Sequence, residues 1–220
     1  MGYDSHMQPL SNEQIRIYRK LNKPWKVQDF LSTLEINFEE KGETHFSPKK
    51  VIEENKAQCI EGACFAASVL RYFGHPPLLL DLRTTGPDVD HVVALFMWKG
   101  YFGAIGKTNH AVLRYRDPIY KTIRELALSY FHEYFLDTGV KTLREYSRPF
   151  NLSRFDNKNW ETTDMALWDI PQKLDESPHV SLVNISQSKI LRSADRLEIE
   201  VGKFTEWELK KGKVLKTKLG

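Results

Sequence analysis

The feature that most constrains this chain is a helix with a hard stop that feeds straight into strands. From Cys59, the run Cys59-Ile60-Glu61-Gly62-Ala63-Cys64-Phe65-Ala66-Ala67-Ser68 starts a helix that ends at Gly74, and Pro76-Pro77 forbid its continuation. The period then changes. Residues 78–83 form a short apolar strand, and residues 91–98 a stronger one rich in β-branched and aromatic side chains. Lys99-Gly100 turns that strand back into 101–105 as an antiparallel hairpin. A helix lined with Gly62, Ala63, Ala66, Ala67 and Ser68 can approach such a sheet closely. Helices followed by antiparallel strands give an α+β chain, not a doubly wound sheet.

The flanks fit the same class. Two amphipathic segments precede, one carrying Leu10, Ile15, Ile17, Tyr18 and Leu21, the other Phe30, Leu31, Leu34, Ile36 and Phe38. Ser47-Pro48 starts a short helix that runs to about Asn55. After the hairpin, Asp117-Pro118 reads as an N-cap followed by proline at the first helical position. Ile119, Ile123, Leu126, Tyr130 and Tyr134 then recur at helical spacing to about Leu136. A loop-rich region holds Trp160 and Trp168. Leu197, Ile199 and Val201 alternate as a strand, and Lys211-Gly212 turns a last hairpin. The expectation is a core over residues 8–150, with N-terminal helices packed on an antiparallel sheet, and a β-rich C-terminal extension over 151–220 packed on it. Residues 1–7 read as an expression-tag remnant.

Composition excludes several classes. Lys and Arg number 32 against 29 Asp and Glu, a net charge of +3 that is too even for an electrostatically driven nucleic-acid binder. Lysines 210, 211, 213, 216 and 218 read as the guarded edge of a terminal strand. Two cysteines make no disulfide framework. No apolar run reaches the ~18–20 residues of a membrane span. With no signal peptide visible, the expected setting is cytoplasmic, with no nucleic-acid or membrane partner.

Cys59 stands where a helix begins. The unpaired N–H groups and dipole of a helix N-terminus favour a thiolate, which is the nucleophilic form. Cys64 lies deeper, beside Phe65 and the alanines, and reads as a core thiol. Five residues of helix rise ~7.5 Å, so the two cannot form a disulfide within it. His91 opens the strongest strand, where an imidazole can take a thiol proton and later return it to a leaving group. His45, His75, His110, His132 and His179 show no comparable context. A zinc site from Cys59, Cys64, His91 and His110 lacks the usual ligand spacing.

These residues carry a resemblance. The run from Cys59, with Arg71, Gly74 and Pro76 at matching offsets, resembles the nucleophile helix of the transglutaminase-like superfamily, and His91-Val92-Val93-Ala94-Leu95-Phe96 resembles the strand headed by its histidine. The similarity covers roughly residues 45–120. It implies a papain/transglutaminase-type core, Cys59 as nucleophile, and His91 as general base and acid. It also implies acyl transfer through a thioester, from a glutamine side chain or a peptide bond of a protein or peptide substrate, to an amine or water, with no cofactor. The family's orienting Asp has no direct counterpart. A Lys99-Gly100 turn sets His91 opposite Thr108 with Gly106 diagonal on the same face, and Gly106 has no side chain. Asn109 and Asp117 are the two substitutes. For the oxyanion, the Cys59 N–H is the natural donor, with the Gln58 side chain as a second and Trp25 as a weaker third. The competing reading is a catalytically inactive member of the same fold that serves as a protein-interaction module.

Overall fold

One antiparallel sheet organises the structure, a computed structural model that describes residues 9–40 and 42–206. In chain order the elements are α1 (Asn12–Tyr18), α2 (Pro24–Thr33), β1 (Glu35–Ile36), α3 (Pro48–Glu54), β2 (Lys56–Ala57), α4 (Cys59–Tyr72), β3 (Leu78–Arg83), β4 (His91–Trp98), β5 (Tyr101–Ile105) and β6 (Arg116–Tyr120). There follow α5 (Ile123–Phe131), β7 (Glu145–Ser147), β8 (Phe150–Asn151), a 3₁₀ helix (Leu152–Lys158), α6 (Asp169–Asp175), β9 (His179–Ser181), α7 (Ile185–Ser188) and α8 (Arg196–Gly202). The main sheet runs β6-β5-β4-β3-β7-β9, with β8 also paired to β3. The short β1 and β2 form a separate parallel pair just ahead of α4. The fold is therefore mixed α+β.

Both faces of the central strands are covered, which explains why residues 92–96 are apolar without alternation. Val92, Ala94 and Phe96, with Leu79 and Ile105, join the α4 residues Ala63, Ala66 and Ala67 in one core cluster. Val93 and Leu95, with Leu80, Leu82 and Ala104, join Leu126, Ala127 and Tyr130 of α5 in a second. The small residues of α4 set the distance to the sheet. A Cβ added at Gly62 would lie 2.5 Å from the Lys107 Cβ. Lys107 is itself buried, its Nζ donating to the Leu34 carbonyl at 2.7 Å and facing Glu206 at 3.5 Å.

Three expectations are corrected. Asp117-Pro118 lies in β6, not at a helix start. A proline costs little on an edge strand, and β6 is the edge. The helix begins after Thr122, whose hydroxyl accepts the Glu125 N–H at 3.1 Å, and it ends at Phe131. Leu197, Ile199 and Val201 lie in α8, where the Asp195 carboxylate caps the N–H groups of Leu197 and Glu198 at 2.9 and 3.0 Å. The described part of 151–220 is thus mainly helical rather than β-rich. Trp160, Leu167, Ile170 and Leu174 from it complete the α4 cluster. The Lys211-Gly212 hairpin and the lysines around it lie outside the described residues. Among the described residues no helix is long and apolar enough to cross a membrane.

The approach of α4 gives a stability prediction. Gly62→Ala should raise helix propensity by ~1 kcal/mol, yet the collision with Lys107 should outweigh it and leave the protein ~1–3 kcal/mol less stable. Urea unfolding checks this, and an unchanged or raised midpoint would mean that α4 does not sit this close.

Candidate active site

The start of α4 is held by one buried carboxylate. Glu61 accepts the Gln58 N–H at 2.8 Å, the Phe46 N–H at 2.8 Å and the Thr44 hydroxyl at 2.6 Å, and its second oxygen takes the Asn37 amide at 3.1 Å. The pairing of β1 with β2 fixes the chain immediately upstream. Together these place Cys59 as the first residue of α4, partly exposed.

The thiol lies against the backbone N–H groups of Val92 and Ile60. Val92 is the residue after His91, so the sulfur reaches the head of β4. Burial nevertheless pushes the thiol pKa up, and the Asp81 and Glu61 carboxylates push in the same direction; the two N–H groups work against this without winning. The helix terminus therefore does not deliver a resting thiolate. The main-chain N–H of Cys59 carries no hydrogen bond among the described residues.

His91 is buried, and its Nε2 bonds the Leu113 carbonyl at 3.1 Å. A carbonyl can only accept, so Nε2 carries the proton and Nδ1 the free lone pair. Among the described residues Nδ1 has no hydrogen-bond partner. Burial lowers the imidazole pKa to about 4; the Leu113 carbonyl opposes this, and the charges of His110 and Arg116 add to it. The ring lies over Gly106, where an added Cβ would stand 3.1 Å from Nε2 and 3.2 Å from Val93 Cγ1. Gln28 clamps that glycine, donating to its carbonyl at 2.9 Å and accepting its N–H at 3.1 Å.

The two groups come to the end of β4 from different sides. The ring shares the Val93 face covered by α5, and the thiol arrives with α4 on the Val92 face. No hydrogen bond joins sulfur and ring among the described residues. Burial pushes both groups toward their neutral forms, the direction opposite to the expected thiolate–imidazolium pair.

The other expected residues stand apart. Asn109 gives its main-chain carbonyl to the Glu206 N–H at 2.8 Å, and its buried Oδ1 has no partner among the described residues; it does not bond His91. Asp117 is exposed on β6. The Gln58 amide donates to Glu39 at 2.9 Å. Trp25 is exposed near the start of α2, with Lys26 over its ring. Sequence reasoning missed the Leu113 carbonyl, Gln28 and Glu61. The spacing Gln58-x-x-Glu61 is the one signal that marked any of them. It also passed over His179, whose side chain is buried and bonds Asp81 at 3.1 Å; burial pushes the Asp81 carboxyl up to about 6 against that bond. Asp81 is the β3 partner of Val92. Among the described residues no group of three or more His, Cys, Asp or Glu is placed to hold a metal ion.

The chain matches no protein-family model and no curated protein sequence.

His91 makes stability depend on pH. Its pKa is about 4 folded against a reference of about 6.5, so its stabilising effect is present above pH 6.5 and is lost as pH falls through 4. His91→Gln should remove this acid sensitivity, narrowing the stability lost between pH 7 and pH 4 by up to ~3 kcal/mol in paired urea titrations. Parallel pH curves for the two proteins would mean that His91 titrates normally.

Proposed function

We propose that the chain is a transglutaminase-like, cysteine-dependent amide hydrolase or acyltransferase, acting on a peptide bond or a glutamine side chain of a protein or peptide. The supporting observation is the meeting at the head of β4: a thiol on the Val92 N–H, and next along the strand an imidazole whose Nδ1 is the free base. In this reading the Cys59 side chain must turn off Val92 to present Sγ to Nδ1. As sulfur attacks the amide carbonyl, its proton passes to Nδ1, and the carbonyl oxygen takes negative charge opposite the free N–H of Cys59. The C–N bond then breaks, the amine leaves with the proton from His91, and a thioester remains for water or a second amine. A neutral pair suits this general-base course, in which charge forms only with substrate in place. No cofactor enters. The reducing cytoplasm, where unpaired cysteines persist, is the assigned setting.

A second reading is favoured by a specific observation. Burial favours the neutral form of both groups, and among the described residues no hydrogen bond joins them and no side-chain carboxylate bonds His91. That is what an inactive fold used for protein interaction would retain.

Intact-mass measurement separates the two. Incubated with activated acyl thioesters and with glutamine-containing peptides, the protein should gain one acyl group on Cys59. Cys59→Ala should gain none while unfolding within ~1 kcal/mol of wild type, since alanine suits a helix start. No adduct on Cys59 from any donor leaves the interaction reading in place.

A further inference from the structure

We propose that Glu133 is a positioning residue for His91, acting through the backbone of Leu113; this rests on the catalytic reading of the site. Leu113 holds φ +61°, a left-handed conformation costly for a leucine. Such a backbone persists only where its surroundings hold it. Three contacts do so. The Leu113 side chain is buried in the α5 cluster, its N–H is given to Glu133 Oε2 at 2.8 Å, and its carbonyl takes His91 Nε2–H at 3.1 Å.

Glu133, two residues past the end of α5, is itself fixed. The same Oε2 takes the Arg116 guanidinium at 2.5 Å. Arg116 is pinned in turn by the Ser129 hydroxyl at 2.9 Å and carbonyl at 3.2 Å, and it lies 4.0 Å over the Tyr130 ring. A rigid line thus runs from α5 through Arg116 and Glu133 to the 113 peptide and on to the imidazole. It performs the task an orienting carboxylate performs elsewhere, with one difference. The group that touches His91 is a neutral carbonyl, so the tautomer is fixed without a negative charge to stabilise imidazolium. Gly106 leaves room for this arrangement, because a side chain there would crowd both Nε2 and the Leu113 carbonyl.

The test reads the ring directly. In protein labelled with ¹⁵N-histidine, wild-type His91 should show one neutral tautomer, with the proton on Nε2. Glu133→Ala should give a mixture of tautomers. Glu133→Gln, whose amide oxygen still accepts the Leu113 N–H, should restore the single form. Where a donor acylates Cys59, Glu133→Ala should also slow thioester formation by up to ~100-fold, as expected for a misplaced base. If Glu133→Ala does not fold, Glu133→Asp, one methylene short of Leu113, should show the same mixture. An unchanged His91 spectrum in a folded Ala or Asp variant would overturn the proposal and make Glu133 merely structural. Failure of Cys59 to take an acyl group from any donor would sink the catalytic reading while leaving this control of the ring intact, so the two failures are distinguishable.

Discussion

The close seating of α4 on the sheet is the contact on which the rest depends. Gly62 lies against the stem of a buried lysine, and no larger residue fits without a shift. That proximity carries Cys59 to the Val92 N–H, where β4 begins and β5 has already ended at Ile105. It also explains why the start of α4 needs so much fixing. Four donor groups converge on the Glu61 carboxylate, and the β1–β2 pair braces the chain before it. The carboxylate that secures the helix also stands near the thiol and adds to the upward push that burial gives its pKa.

Two effects of opposite sign therefore compete at Cys59. The helix terminus offers N–H groups to a thiolate, and burial, Asp81 and Glu61 oppose it; burial is the larger. The same holds at His91, where the surroundings supply a carbonyl rather than a carboxylate. The outcome is a pair that stores no charge at rest.

The elements around the site were legible because each has its own local signal. Gly74 with Pro76-Pro77 stops α4, and β-branched and aromatic residues write β4. The register of the β4–β5 hairpin also followed from its turn, with Ala94 opposite Ile105 and Trp98 opposite Tyr101. The misread elements had two solutions. Pro118 lacks an N–H, which suits a first helical turn and an edge strand equally, and only the sheet order decides. Leu197 and Val201 are separated by four residues as well as lying in an alternating run, and the Asp195–Glu198 cap selects the helix. Within the site, the positions of Cys59 and His91 at the starts of a helix and a strand were readable. Their protonation was not, because burial is set by residues from the whole chain. Leu113 could not be found at all: a backbone carbonyl has no side-chain signature, and leucine gives no hint of a left-handed φ.

The most direct measurement is thiolate absorbance near 240 nm, titrated against pH as the difference between the protein and Cys59→Ala. A buried neutral thiol gives no step at neutral pH and one only above the ordinary thiol value of ~8.5. A step below pH 7 would mean that Cys59 rests as a thiolate, and the arrangement described at the head of β4 would be wrong.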